Sequence, residues 1–355
     1  MTFVERALVA MGARQAREEN AWSTVVAPTL SRVGPGSPWV AAARRKVALT
    51  HAVMRQALRD ILDALGGEIP YLILKGEPLG RELFGDSSHR SSGDIDLLVL
   101  PGDYEEVRRR LLALGYVPKN AEGPRMWAHN QEEFRHEVHG ASVEIHWILA
   151  LPAMPAMSPL PLFETRRRFS LDEDLQPYVL RGDWMGIHLA LHFQQHSGFA
   201  KGLLDMAAWC DQIAPALDRG CFLDKASRLR LQGVVQWPLH TLEILCGERP
   251  PMYLEEVDPS VRWWATISAD ALRDCLSRPY TGGLRDCLAA LNPTMGPAVW
   301  VSIQSLAMMV VDGTPLQKGV ACLRPILDGP HFVGRFFHRM QWGTRPFVVP
   351  GRRRR

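Results

Sequence analysis

A chain of 355 residues, 46% hydrophobic and 22% charged, has length for two to three domains and can bury a core, which excludes a broadly disordered protein. Lys and Arg number 41 against 38 Asp and Glu, but four of these cations are Arg352–Arg355 at the very end; without them 37 cations face 38 acids. The body is therefore neutral and lacks the bulk basic field of a nucleic-acid binder. The six cysteines form no CxxC pair and all lie in the second half, against a disulfide scaffold or a cysteine-rich zinc module. Glu5 and Arg6 interrupt the start before any apolar run forms, against a secretory signal. The longest apolar stretch, 297–311, carries Ser302, Gln304 and Ser305 and is too short to span a bilayer. A soluble, cytoplasmic protein without membrane association is expected.

Residues 1–66 read as an N-terminal helical segment. Ser37-Pro38 is a helix start, and Val47, His51, Met54, Leu58, Ile61 and Leu65 recur on one face until Gly66-Gly67. Residues 67–150 change character. Ile69–Leu74 is a short apolar run with the composition of a buried strand, and Asp94–Leu100 is a second, closed by Pro101-Gly102. Asp103 stands as an N-cap before a helix lined by Tyr104, Val107, Leu111 and Leu114. Two alternating segments, 133–139 and 142–149, flank His139-Gly140-Ala141 and predict a hairpin. Strands alternating with helices make this stretch a small α/β unit. A Pro-rich connector, 151–163, marks the best domain boundary. Residues 151–355 follow as a helical C-terminal domain, with a helical pair around 188–206, proline breaks further on and a disordered basic tail. The charge run Glu164–Arg168 reads most simply as a solvated helix face.

The chemistry concentrates in Arg90-Ser91-Ser92-Gly93-Asp94-Ile95-Asp96-Leu97-Leu98-Val99. Period two puts Asp94 and Asp96 on one face of a strand. Two like charges on an otherwise apolar strand are costly unless a cation lies between them, and Mg²⁺ suits hard oxygen ligands. A bare DxD is most often an exposed pair at a strand edge, but three further features favour a site. Lys75-Gly76 ends a buried strand, where phosphates bind in open α/β sheets. Ser91, Ser92 and Gly93 form a small-residue turn that lets a ligand approach. Glu144 shares a face with Ser142 and His146 on a neighbouring strand and supplies a third carboxylate. Lys75 has two open roles, a contact to a triphosphate or a partner for Asp94 or Asp96. His188, His192 and His196 recur at helical spacing but lack the Glu of HExxH, so core histidines or substrate contacts are the simpler reading.

Together LKG (74–76), R-SSGDIDLLV (90–99) and VEIHW (143–147) resemble the DNA polymerase β-type nucleotidyltransferase superfamily, and more closely the bacterial proteins grouped as uncharacterised nucleotidyltransferases. The stretch 188–209 resembles that family's His-bearing helix and the Leu-Asp turn after it. Two departures stand out: Lys75-Gly76 replaces the superfamily's usual Gly-Ser or Gly-Gly turn, and Glu144 stands where Asp is commoner.

The resemblance implies an α+β fold, with a small mixed-sheet nucleotidyltransferase core at 67–150, N-terminal helices and the helical C-terminal domain. It implies transfer of a nucleoside monophosphate from an NTP, with ATP the expected nucleotide, and two Mg²⁺ ions. Asp94, Asp96 and Glu144 would be the catalytic and metal-binding set, and Lys75, Gly76, Arg90, Ser92 and Gly93 would bind the nucleotide. It leaves the acceptor open among a small molecule, a peptide and an RNA. Two alternatives remain: a non-catalytic nucleotide- or partner-binding module, and a tRNA-modifying toxin, against which the neutral body weighs.

Overall fold

The computed structural model of the chain describes residues 1–13, 21–31, 38–119, 131–149, 159–195 and 200–273. The arginine tail, the apolar stretch 297–311 and His196 lie outside the described residues. Three helices open the chain: α1 (Phe3–Ala10), α2 (Ala21–Leu30) and α3 (Pro38–Leu65). A capping box starts α1, with Thr2 Oγ1 accepting from Glu5 N at 3.2 Å and Glu5 Oε2 accepting from Thr2 N at 3.0 Å. α3 begins at Pro38 and buries Val47, His51, Leu58, Ile61 and Leu65, the face that the spacing predicts, with Met54 half-buried.

The central region contains β1 (Tyr71–Ile73), α4 (Glu77–Phe84), β2 (Asp94–Val99), α5 (Tyr104–Ala113), β3 (Tyr116–Pro118), β4 (Gln131–His136) and β5 (Ser142–His146). Asp103 occupies the cap position of α5, but its backbone is already helical and its side chain makes no capping bond. The extended conformation that carries a cap oxygen over the first amides is missing there. β4 and β5 form the expected hairpin, in the register Arg135↔Ser142, Phe134↔Val143 and Glu133↔Glu144.

The sheet does not end at residue 150. After α6 (Leu160–Glu164) come β6 (Arg167–Arg168) and β7 (Tyr178–Val179), and β7 pairs parallel to β1. Among the described residues the sheet has seven strands in the order β3-β4-β5-β2-β1-β7-β6, mixed in direction, so the fold is α+β. Two expectations change here. The end of the Pro-rich connector is helical, because Leu162 and Phe163 bury into the core. The charge run 164–168 is not a helix face: Thr165 ends α6, and Arg167-Arg168 pair with β7. The guanidinium groups of Arg166 and Arg168 both lie over the Tyr178 ring, at 4.6 and 4.7 Å from its centroid.

The helical body consists of α7 (Gly182–Gln195), α8 (Ala200–Gln212), α9 (Arg219–Arg228), α10 (Gln232–Cys246) and α11 (Pro259–Leu272). α1 belongs to it: the Asp211 carboxylate on α8 accepts from Phe3 N at 2.8 Å and from Val4 N at 3.1 Å, so an acid meets the positive end of a helix. The two faces of the sheet divide the apolar residues. Ile95, Leu97, Val99, Val143 and Ile145 join Leu58, Ile61 and Leu65 of α3 and Val107 and Leu111 of α5. Leu72, Leu74 and Leu98 join the core of the helical body around Trp184, Ile187 and Leu203. Asp94 and Asp96 alternate in phase with Leu98, so they face the helical body.

α7 and α8 approach closely at Gly186, where a Cβ would lie 2.4 Å from Cζ2 of the fully buried Trp209. The Trp209 indole is held in place by its Nε1 donation to Gly182 O at 2.8 Å. Gly186→Ala is expected to destabilise the protein by about 1–3 kcal/mol, because overpacking outweighs the gain in helix propensity. Gly102→Ala, with nothing within 4 Å of its Cβ position, should leave the urea midpoint in place. Equal midpoints for the two variants would refute the close-packing account.

Candidate active site

Strand register assembles the site. β2 and β5 run parallel, with Asp94 opposite Ser142, Asp96 opposite Glu144 and Leu98 opposite His146. Period two then places both acids of β2 and Ser142, Glu144 and His146 of β5 on one face. Asp96, Glu144 and His146 bring one ligand atom each within 4.8 Å of one another. Asp94 sits on the same face but outside that tightest group. His146 Nε2 lies 3.2 Å from Asp96 Oδ1 and 3.5 Å from Glu144 Oε2, and Gln131 Nε2 donates to Glu144 Oε2 at 3.3 Å.

Asp96 has no solvent exposure, and Lys75 Nζ donates to its Oδ1 at 2.9 Å. Of the two roles open to Lys75, the pairing with Asp96 is therefore present in the fold. Burial acts to raise the Asp96 carboxyl, but the Lys75 ammonium and His146 outweigh it and hold the group well below the usual carboxylate range. Burial acts to lower Lys75, and Asp96, with Asp94 and Glu144, more than offsets it, so its pKa is raised. Asp94 moves the other way: burial and then the charge of Asp96 push it up. Burial would lower His146, and its bonds to Asp96 and Glu144 reverse the sign. Asp96 Oδ2 has no hydrogen-bond partner among the described residues, which leaves a buried anionic oxygen open to a further ligand.

The turn between β1 and α4 needs glycine. Gly76 has φ +83 and ψ −148, and a Cβ there would lie 3.6 Å from Asp94 O and 3.9 Å from Ser92 Oγ. Ser92 Oγ donates to Asp94 O at 3.4 Å, so this small-residue turn lies against the Lys75-Gly76 turn. The loop before β2 is pinned from several elements. Arg44 of α3 donates to Asp86 and Ser88, and Thr29 Oγ1 of α2 donates to His89 O at 2.7 Å. Arg90, 2% exposed, donates from Nε and Nη2 to Asp205 of α8, both at 2.8 Å. Arg90 is thus a buried tie between the loop and the helical body rather than a solvated cation.

The structure brings Lys75, Gly76, Ser92, Asp94, Asp96 and Glu144 together around one sheet face, with Arg90 behind them and the exposed Gly93 in the turn. The Leu-Asp step that the family resemblance reads as a turn, Leu204-Asp205, lies inside α8, where Asp205 takes a role the sequence did not give it, although one acid in the apolar stretch Leu203-Leu204-Asp205-Met206-Ala207 was a signal. Sequence reasoning placed His146 on the right face and weighed it as a metal ligand only with His136, His139 and Glu137. His188 is 7% exposed with neither ring nitrogen bonded to a described residue, and burial, with Lys75 next, lowers its pKa to about 3. His192 belongs to the same helix, at 6.3 Å between ring centroids. Among the described residues Asp96, Glu144 and His146 form the one cluster of potential metal ligands, and His196 of the histidine helix lies outside those residues.

A family model described as uncharacterised nucleotidyltransferase matches residues 8–247. The chain belongs to that family. The match spans α3, the acid-bearing strands and the helical body through α10, so it covers every residue of the site. No curated protein gives a significant match to the chain. Membership makes this nucleotidyltransferase a transferase. No helix among the described residues is long and apolar enough to cross a membrane.

Lys75→Met should destabilise the nucleotidyltransferase by about 3–5 kcal/mol, the scale for a buried charge stripped of its partner. Asp96→Asn should cost less than that, and combining the two should cost less than the sum of the single effects. Urea unfolding of the three variants checks this, and additive costs would refute the direct pairing. A second outcome concerns pH. Folded His188 stays neutral down to about 3, whereas the unfolded imidazole takes its proton near its ordinary value of 6.5. The unfolded state therefore binds more protons below 6.5, and stability falls as pH drops from there towards 3. His188→Leu should flatten that part of the profile of melting temperature against pH.

Proposed function

We propose that this nucleotidyltransferase transfers a nucleoside monophosphate from an NTP, with ATP the first candidate, to an acceptor hydroxyl, in a site that uses divalent metal. The observation that carries this reading is the buried, open Oδ2 of Asp96 beside Glu144 and His146. The donor set fits a divalent cation: carboxylate oxygens that burial and mutual repulsion make costly unless a cation joins them. Asp94, Asp96 and Glu144 would hold it, with His146 within reach as a nitrogen ligand or a positioning group. Such an ion, Mg²⁺ by its preference for oxygen, supplies charge neutralisation at the α-phosphate and at the departing pyrophosphate.

The residues divide the remaining work. Asp96 is committed to Lys75 and His146 and is held in its charged form, so it is a poor proton acceptor. Glu144, with 19% of its side chain exposed, is the better placed acid to take the proton of the attacking hydroxyl. The hydroxyl oxygen forms its bond to the α-phosphorus as the bond to the bridging oxygen breaks, and pyrophosphate leaves with that electron pair. The Gly76 and Ser92–Gly93 turns let backbone approach the nucleotide. The helical C-terminal region, from α7 onward, would close over the acid face and choose the acceptor, for which a peptide or a small molecule are the first to test.

A thermal-shift panel of four NTPs with and without Mg²⁺ tests the reading. A bound nucleotide at a hundredfold excess over its Kd should add about 2.7 kcal/mol to apparent stability, and only with Mg²⁺ present. Asp94→Asn and Glu144→Gln should each abolish that gain. A wild-type protein that gains nothing from any NTP with Mg²⁺ would remove the proposal.

A further inference from the structure

Three basic side chains near the acid face have no role in the transfer scheme above. His51 on α3 is 2% exposed, and neither its ring nitrogens nor those of His188 on α7 find a hydrogen-bond partner among the described residues. Lys201, partly buried in the first turn of α8, makes no hydrogen bond or ion pair with any described residue. It stands one turn before Asp205, on the same helix face. Arg90 Nη1, the guanidinium nitrogen that Asp205 leaves over, is unbonded as well.

These groups share one neighbourhood. His51 feels the charges of Glu77, Arg90, Arg55 and Lys201. His188 feels Lys75, Asp96, His146 and Arg90. Lys201 feels Arg90, Asp205, Asp94 and Lys75, and burial, the largest effect, lowers its pKa to about 8. Arg90 occurs in all three sets, so the three side chains share its electrostatic neighbourhood, and Lys201 lies one turn from the Asp205 that Arg90 binds.

Charge matching then singles out one group. Lys75 is neutralised by Asp96, and Arg90 by Asp205. Lys201 is the cation of this neighbourhood that no acid pairs among the described residues. A buried donor ordinarily has an acceptor, and here donors from α3, the loop before β2, α7 and α8 lack one among the described residues. The two neutral imidazoles each offer one N–H, Arg90 offers Nη1 and Lys201 offers an ammonium. A ligand that satisfies donors from four segments must carry several anionic oxygens along its length, which describes a chain of phosphates.

We propose that His51, His188 and Lys201, with Arg90 Nη1, form the cradle for the β- and γ-phosphates of the nucleotide, on the helical side of the acid face. This rests on the reading that the acid face takes an NTP. Lys201 is the principal anchor, and the phosphate chain supplies the anion that its ammonium lacks. Lys75 then serves to hold Asp96, and the cations for the phosphate chain come from the helical body.

Isothermal titration with ATP, inorganic tripolyphosphate and adenosine, in Mg²⁺, tests the cradle on the full chain. Lys201→Ala should weaken ATP and tripolyphosphate by about tenfold to a hundredfold, the range of a charge-assisted hydrogen bond, and leave adenosine unchanged. Lys201→Arg should recover most of the loss. The ligand-free melting temperature of Lys201→Ala should not fall, because an unpaired, partly desolvated charge is removed. Lys201→Met, which keeps the apolar stem, decides the matter should the alanine variant unfold. Lys119→Ala, an exposed lysine paired with Glu133, should bind every probe as the wild type does. Binding of ATP and tripolyphosphate by the folded Lys201 variants within twofold of wild type would overturn the cradle alone. A wild-type chain that binds neither probe with Mg²⁺ would instead overturn the transferase reading, and the cradle with it.

Discussion

A carboxylate with no access to water, Asp96, lies in the middle of a mixed sheet, and the surrounding structure is arranged to balance it. Burying an isolated charge costs several kcal/mol even after relaxation, so partners have to come from the fold itself. Lys75 arrives from just past the end of β1, the neighbouring strand, and from twenty-one positions earlier in sequence. His146 arrives from β5, because the parallel register sets Glu144 opposite Asp96 and His146 one step further on the same face. The charge that makes Asp96 expensive is also what draws Lys75 and His146 to it. Its other oxygen, Oδ2, has no hydrogen-bond partner among the described residues.

The second constraint is the Arg90–Asp205 pair, buried on both sides. It joins the loop that precedes the acids to the first turns of α8. Because Arg90 and Asp205 have little exposure, neither can be removed without stranding the other, and the loop keeps a fixed position relative to the helices. Arg44, Thr29 and Ser31 fasten the same loop from α3, from α2 and from the turn that ends it. The helical body is therefore a wall of the acid site as well as a neighbouring layer. Its own core reaches the sheet through Leu72, Leu74 and Leu98, on the face that carries the acids. Family membership, which runs from residue 8 to 247, takes in both the sheet and this wall.

Much of the site was legible in the sequence, because a strand's period is short and unambiguous. Asp94 and Asp96 two apart, with apolar residues between and after them, state which face they share. The same alternation puts Glu144 with Ser142 and His146. The Gly after Lys75 announces a turn that only glycine can make, and its positive φ agrees. Helical periodicity likewise marks the buried face of α3 and the pair α7–α8. Where local signals misled, a long-range contact decided. The arginines of 166–168 read as a solvated helix, but pairing with β7 draws Arg167-Arg168 into the sheet, and Tyr178 receives the guanidinium groups of Arg166 and Arg168.

Sequence by itself determined the acidic character of the two strands and the faces their acids share, since both depend on residues within a few positions of one another. Tertiary structure decided the partners. Nothing in the sequence says that Lys75 meets Asp96 rather than a ligand, that Arg90 is spent on an acid 115 positions away, or that His51 and Lys201 lie in one neighbourhood. A charge pair is chosen by distance and burial after the chain has closed, and periodicity carries no record of which strand lies next to which. The same closure set β5 beside β2 and brought β7 to β1, and so made a single acid face out of residues that are local only in space.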